Sequence, residues 1–73
     1  MPNAVKLRKL LAALHRLGFE QIHQKGSHAF FAHADGRTTL VPLHPEIKIK
    51  LLTKIIKQDL RMDKDEFFKL LEQ

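Results

Sequence analysis

The sequence predicts a small α+β domain in which helices pack on a three-stranded antiparallel sheet. Near the N-terminus, leucines recur at spacings of three, four and seven residues, the pattern of one face of a helix. Three short runs of strand length follow, separated by glycine-containing breaks. A second apolar stripe with helical spacing comes next. Because 73 residues leave no room for a second core, residues 1–73 are expected to form a single domain.

The first helix is expected over about residues 4–17. Its apolar face is formed by Leu7, Leu10, Leu11, Leu14 and Leu17. Asn3 is a suitable N-cap, because its side chain can accept a hydrogen bond from the first turn. Gly18 is suited to left-handed geometry after the last turn, which would end the helix there.

An antiparallel meander is expected after the first helix. Its predicted strands are Phe19–Lys25, His28–His33 and Arg37–Leu43. The second break has the form of a three-residue hairpin loop closed by Gly36, which would set His33 opposite Arg37. His28 then shares a face with apolar residues of the next strand, and with His44 if that strand continues. A two-residue Asp-Gly turn would instead put His28 and His44 on opposite faces, and the sequence leaves both registers open.

Two further helices complete the predicted order. Pro45 fits the first position of a helix and Glu46 fits its positive end, so the second helix is expected over about residues 46–59. Its buried stripe is formed by Ile49, Leu52, Ile55 and Ile56. Asp63, with Glu66 three residues later, resembles a capping box and predicts a short third helix. That helix is expected to cover an edge of the core with Phe67, Leu70 and Leu71.

Composition narrows the classes of function. Residues 1–58 carry a net charge of +7, whereas residues 59–73 carry −2. A compact body of that charge attracts polyanions such as a phosphate backbone. The chain has no cysteine, which excludes a disulfide framework and any zinc site with cysteine ligands. The apolar run Leu10–Leu14 is too short for a signal or membrane segment, so we expect a cytoplasmic protein with no membrane partner.

The segment Lys25-Gly26-Ser27-His28 is the centre of the candidate chemistry. Metal-free RNA cleavage needs a base for the 2′-hydroxyl, donors for the phosphorane charge and an acid for the leaving 5′-oxygen. Imidazole can act as base or acid at cellular pH, which makes His28 the candidate catalytic residue. Gly26 would let the backbone approach a phosphate, beside the Ser27 hydroxyl and the Lys25 charge. In the simpler interpretation, Gly26-Ser27 is only a turn and His28 a polar strand residue.

Other candidates are less specific. His44 precedes the predicted second helix, whose dipole would favour a neutral imidazole, but it could equally stand in for an N-cap. Phe30 and Phe31 could stack on bases, although at least one of them must be core. A cationic stripe on the second helix is either a phosphate track or an ordinary solvated face. It is formed by Lys50, Lys54, Lys57 and Arg61.

The other histidines, His15, His23 and His33, are expected to be surface residues. No histidine spacing in the chain matches a recognised pair of metal ligands, and no clustered carboxylates accompany the histidines. We therefore expect no metal site.

At these residues the chain resembles the HicA family, the RNA-cleaving toxins of prokaryotic HicA/HicB toxin–antitoxin pairs. The resemblance covers nearly the whole chain and lies in the order and spacing of short motifs. They are Leu17-Gly18-Phe19, Lys25-Gly26-Ser27-His28, Asp35-Gly36-Arg37, Val41-Pro42-Leu43-His44, Ile55-Ile56-Lys57-Gln58 and Glu66-Phe67. Family members often carry a glycine near each end of the second helix, where this chain has a Lys/Ile run and Asp59.

The resemblance implies a fold like the double-stranded-RNA-binding domain, metal-independent cleavage of mRNA without a small-molecule cofactor, and neutralisation by a HicB-type antitoxin. It also implies that His28 is catalytic. The leading prediction is therefore an endoribonuclease toxin that inhibits translation and growth. The residues expected to contact RNA are Lys25, Gly26, Ser27, Arg37, His44, Lys50, Lys54 and Lys57.

Two other interpretations stay open. One is a non-catalytic double-stranded-RNA-binding module with the same layout, which would bind RNA in a salt-dependent way without cleaving it. The other is a protein-interaction domain whose basic face docks an acidic partner, which would do neither.

Overall fold

The computed structural model describes residues 3–72. In chain order, the strands are β1 (Ala4–Lys6), β2 (Glu20–Lys25), β3 (His28–Ala32), β4 (Thr38–Pro42) and β5 (Glu46–Lys48). The helical elements are α1 (Leu7–Leu17), α2 (Ile49–Lys54), the π-helical segment π1 (Ile55–Leu60) and α3 (Lys64–Leu71). The predicted α+β class is confirmed, and so is the order of a helix, a three-stranded antiparallel sheet and two further helices.

The central sheet has the order β2-β3-β4, and both of its pairs are antiparallel. Of the two registers that the sequence leaves open, the structure has the one with the three-residue hairpin loop. The His33 N–H donates to the Arg37 carbonyl at 2.9 Å, and the Gly36 N–H donates to the His33 carbonyl. This register pairs His28 with Pro42. His28 therefore lies on the same face of the sheet as the outward-pointing residues of β4.

The helices cover one face of β3 and β4. On that face Ala29, Phe31, Thr39 and Val41 are buried, while the residues between them on the other face are exposed or half-buried. Phe31 is thus the core residue of the Phe30-Phe31 pair. Strand β2 is exposed along its whole length, so it extends beyond the helical layer as an edge strand.

The core is one cluster shared by the sheet and all the helical elements. Buried aliphatic side chains of α1 and of the second helical region meet the covered face of the sheet, with Phe19 and Phe67 as the largest aromatic members. The predicted buried stripe of the second helix is confirmed at Leu52, Ile55 and Ile56, whereas Ile49 is only half-buried.

The start of the first helix was predicted too early. Residues Ala4–Lys6 form β1, which pairs antiparallel with β5, and α1 begins only at Leu7. The predicted Asn3 cap is wrong, because the N-cap residue is Lys6 and no side chain caps the helix. The residues that flank the β1–β5 ribbon accept hydrogen bonds from the first residues of both helices. The Leu7 N–H donates to the Pro45 carbonyl, and the Ile49 N–H donates to the Asn3 carbonyl, each at 3.0 Å.

The second helix also differs from its prediction. Pro45 does not begin a helix, because Glu46–Lys48 is drawn into the ribbon as β5. The helix starts at Ile49, and from Ile55 it widens into π1. Arg61 ends it in left-handed geometry, with φ 51° and ψ 48°.

Helix α3 and the end of α1 match their predictions. The Asp63 carboxylate accepts a hydrogen bond from the Glu66 N–H at 3.2 Å, and Phe67 and Leu71 are buried. Gly18 ends α1 with φ 100°. An added Cβ at Gly18 would lie 3.0 Å from the His33 ring, so glycine is required there both for the backbone angle and for the close approach.

Candidate nucleic-acid site

The Gly26-Ser27 turn joins β2 to β3 as a two-residue loop, because Lys25 pairs directly with His28. Gly26 has φ 58°, the sign needed at the first central position of a type II′ turn. An added Cβ on Gly26 would meet no atom within 4 Å, so the space beside this backbone is open. The turn is anchored by the Leu43 N–H, which donates to the Ser27 carbonyl at 2.6 Å.

A shallow depression of about 470 Å³ opens on the uncovered face of the sheet at this turn. It is lined by Lys25, Gly26, Ser27, His28, Phe30 and Leu40. The whole predicted segment from Lys25 to His28 is therefore gathered around one open concavity. The register with the three-residue loop predicts Leu40 on the same face as His28 and Phe30, and Leu40 pairs directly with Phe30.

His28 is exposed at the start of β3. Among the residues that the structure describes, no side chain or backbone group forms a hydrogen bond with its imidazole. Both ring nitrogens are thus available to a ligand in the depression. The neighbouring Lys25 side chain brings a positive charge to the same rim.

His44 lies beyond the end of β4, which stops at Pro42. The predicted helix dipole behind His44 is absent, because the following residues form β5 and the helix begins only at Ile49. Its predicted alternative role, as an N-cap substitute, is wrong for the same reason. The Leu43–Ser27 bond nevertheless holds the segment leading to His44 beside the Gly26-Ser27 turn.

Three lysines of the predicted cationic stripe are exposed on the second helical region. These helix lysines are Lys50, Lys54 and Lys57. The α-helical spacing behind that prediction ends at Ile55, where π1 begins, and Arg61 lies beyond the helix in left-handed geometry. The helix lysines therefore lie outside the depression, on the helical layer, and Arg61 does not continue an α-helical stripe.

Arg37 has a structural environment that the sequence did not predict. Its Nε donates to the Asp35 carboxylate at 2.8 Å, and its Nη1 donates to the Leu60 carbonyl at 2.7 Å. The guanidinium also lies over the Phe19 ring, 5.3 Å from the centroid. Arg37 lies opposite His33, five residue steps along the hairpin from His28 and roughly 17 Å away, so Arg37 is remote from the depression.

His33 was predicted to be a surface residue, and this is wrong. Its Nε2 is 2.8 Å from the Leu17 carbonyl, to which it can only donate, and its Nδ1 accepts from the Asp35 N–H at 3.0 Å. Nδ1 also lies 3.1 Å from the Asp35 carboxylate, so Asp35 contacts the ring through both its backbone and its side chain. The ring also meets Phe19 edge-on at 5.1 Å. His33 thus fastens the β3–β4 hairpin to the end of α1, whereas His15 and His23 are exposed as predicted.

The Asp35 carboxylate has a lowered pKa. The Arg37 N–H donates to it and the guanidinium lies beside it, which holds the pKa of Asp35 below its usual value. Between residues 3 and 72 no group of three or more His, Asp or Glu side chains is arranged to hold a metal ion. None of the helices described is both long and apolar enough to cross a membrane.

The sequence was compared with models of known protein families. The family model described as the HicA toxin of bacterial toxin–antitoxin systems matches residues 7–59. The chain belongs to the HicA toxin family. No curated protein sequence matches it. The region matched to the HicA family runs from the first residue of α1 almost to the end of π1.

Three of the motifs that carry the HicA resemblance lie in two places in the structure. Lys25-Gly26-Ser27-His28 surrounds the open depression. Leu17-Gly18-Phe19 and Asp35-Gly36-Arg37 meet each other at the far end of the hairpin, through the contacts of His33 and Arg37. The last two motifs therefore hold the hairpin to the end of α1, whereas the first lines the depression.

The two departures from HicA glycines also have a structural explanation. Entry into the second helix is set by the β1–β5 ribbon, which needs no glycine. At its exit, the Asp59 carboxylate accepts a hydrogen bond from the Thr39 hydroxyl at 2.8 Å, and Arg61 takes the left-handed conformation that a glycine usually adopts.

Proposed function

We propose that this HicA-family toxin is a metal-independent endoribonuclease that cleaves mRNA in the cytoplasm, using His28 as its catalytic residue. The observation that carries the proposal is the depression itself. It holds an exposed imidazole with no hydrogen-bond partner in residues 3–72, a lysine, and a glycine–serine turn with open space before its backbone. These groups supply one proton-transfer residue and the donors for the phosphorane charge that RNA cleavage requires.

In the proposed reaction the 2′-oxygen attacks the adjacent phosphorus while a base removes its proton. The bond from phosphorus to the 5′-oxygen breaks, and that oxygen takes up a proton from an acid, leaving a 2′,3′-cyclic phosphate and a 5′-hydroxyl end. The neutral imidazole of His28 can serve the first step, or its protonated form the second. Lys25 offsets the charge on the phosphorane, and the Ser27 hydroxyl can donate to one of its oxygens.

The decisive test is His28→Ala with purified protein and a mixed-sequence RNA. We expect cleavage to fall by about 100- to 10,000-fold, because a positioned proton-transfer group contributes that much. The urea midpoint should not move, since His28 is exposed. His15→Ala, an exposed histidine on α1, is the matched control and should cleave normally. A folded His28→Ala protein that cleaves at the normal rate contradicts the assignment, and salt-dependent binding without cleavage by the unaltered chain favours a non-catalytic RNA-binding module.

Metal independence has its own test. Cleavage should survive an excess of EDTA, because the proposed proton transfers use only groups of the chain. If EDTA abolishes cleavage and a single added divalent ion restores it, this part of the proposal is wrong.

A HicB-type antitoxin would inhibit the toxin by covering the depression. Acidic groups of that partner complement Lys25 and the basic body, and an interface of about 800 Å² on each side is the usual size for such a complex. We expect Lys25 and His28 to be protected from chemical modification in the complex. A complex that leaves His28 open and still cleaves RNA contradicts this mode of inhibition.

A further inference from the structure

Two apolar side chains stand in the open beside His28. Phe30 is 38 % exposed and Leu40 is 43 % exposed, and they pair directly across β3 and β4 on the uncovered face of the sheet. Phe31, the next residue, is 6 % exposed and packs in the core on the covered face, so Phe30 is not the core residue of this pair. An exposed Phe–Leu pair that the core does not need is typical of a ligand contact.

We propose that Phe30 and Leu40 form a platform for one unpaired nucleobase, so that the site takes single-stranded RNA. The inference rests on the proposed nuclease function and names the form of its substrate. Phe30 and His28 are two residues apart on one face of β3, which places them roughly 7 Å apart along the strand. A nucleotide whose base lies on Phe30 therefore has its own backbone beside His28 and Lys25.

The surroundings of Phe30 favour a base over other occupants. The His23 ring meets Phe30 edge-on at 5.6 Å, which leaves the Phe30 ring held but not covered. Lys25 and His28 line the same depression and complement a phosphate next to the base. Of the four large apolar side chains exposed in residues 3–72, Phe30 and Leu40 line the depression, whereas Ile22 on β2 and Leu51 on α2 do not. Two apolar side chains are few for the core of a protein interface and match the size of one base.

The form of the RNA follows from this geometry. In a duplex, both faces of each base are covered by its neighbours in the stack, so a base cannot lie on the sheet without leaving the helix. An unpaired base offers a free face, and stacking on an aromatic side chain is the usual way in which proteins hold it. A site that needs Phe30 therefore discriminates against duplex RNA.

The chain contains no tryptophan and no tyrosine, so one introduced tryptophan is a reporter without background. We suggest Phe30→Trp in a His28→Ala background, titrated with a short single-stranded RNA and with the same RNA annealed to its complement. We expect the single strand to quench the fluorescence and the duplex to leave it nearly unchanged. Phe68→Trp on α3, in the acidic C-terminal region, is the matched control and should respond to neither.

Cleavage provides the second measurement. Phe30→Leu should lower kcat/KM on single-stranded RNA on the order of 10-fold or more, the usual effect of losing one base–aromatic stack, while Phe30→Tyr retains most of it. Leu51→Ala, at a helical position equally exposed at 38 %, should change nothing. Equal quenching by duplex and single strand overturns the inference, as does a Phe30→Leu protein with normal cleavage.

Two outcomes separate this inference from its alternatives. If the unaltered protein cleaves no RNA, the nuclease function fails, yet selective quenching by single strands would still support the platform. If Phe30→Leu binds and cleaves RNA normally but loses self-association in sedimentation, the patch is a protein interface and the platform is wrong.

Discussion

Replacing Arg37 by lysine tests whether this residue holds RNA or holds the fold. The sequence predicted an RNA contact, and that role stays a prediction; the contacts of the side chain favour a structural role. Lysine keeps the positive charge, but one ammonium group cannot donate to the Asp35 carboxylate and the Leu60 carbonyl together while lying flat on Phe19. The change therefore removes directed contacts of the guanidinium and keeps the net charge of the protein.

The expected loss follows from those three contacts. A half-buried hydrogen bond from a charged donor to the Leu60 carbonyl contributes about 1.5–3 kcal/mol, and the cation–π contact about 0.5–1 kcal/mol. The ion pair with Asp35 is open to solvent on the carboxylate side and is expected to contribute little. Lysine can keep one contact, so we expect the free energy of unfolding to fall by about 2 kcal/mol, which lowers Tm by roughly 8–16 °C in a domain of this size.

Urea unfolding followed by far-UV circular dichroism measures the stability, and salt titration of RNA binding measures the contact. The slope of log affinity against log salt should be unchanged, because no phosphate contact is lost. Arg8→Lys, the same exchange at an exposed position on α1, should leave both measurements unchanged. An Arg37→Lys protein of normal stability that binds RNA less tightly would refute the structural role.

Three further predictions concern charge and backbone. Replacing the helix lysines together by alanine should reduce the slope of log affinity against log salt for single-stranded RNA by about 2, because each phosphate contact contributes about 0.7. An unchanged slope would show that these lysines form an ordinary solvated face. The Arg37 N–H bond lowers the pKa of Asp35, so its stabilising effect is present above the unfolded value of 3.8 and is lost as the pH falls. The urea midpoint should thus decrease from about pH 5 to about pH 3, and Asp35→Asn should flatten that decrease. Arg61→Gly should raise the free energy of unfolding by about 0.5–1 kcal/mol, because glycine takes the left-handed conformation without strain; an equal or lower urea midpoint would contradict this.

The elements that the sequence predicted correctly are those with local signals. The leucine spacing and Gly18 identify the body and the end of α1, the Asp63 cap identifies α3, and the three-residue loop sets the sheet register. The loop also places His28 on the open face. The Lys25-Gly26-Ser27-His28 segment could be found from sequence because its residues are consecutive.

The features that were missed depend on partners far apart in the chain. β1 and β5 have three residues each and are strands only because they pair with each other, so neither has a recognisable period of its own. The sequence predicted an exposed His33 because its partner, the Leu17 carbonyl, lies 16 residues away and has no signal in the strand sequence.

The β1–β5 ribbon has a consequence for the order in which the protein takes shape during synthesis. Ala4–Lys6 is made before its partner Glu46–Lys48, and the ribbon that they form closes a loop that contains α1 and the whole central sheet. The Pro45 carbonyl is held by the Leu7 N–H, while Leu43 is held at the Gly26-Ser27 turn. The backbone on both sides of His44 is therefore held only when β1 pairs with β5. A chain in which the ribbon has not formed would lack the bond that holds Pro45, the residue after His44.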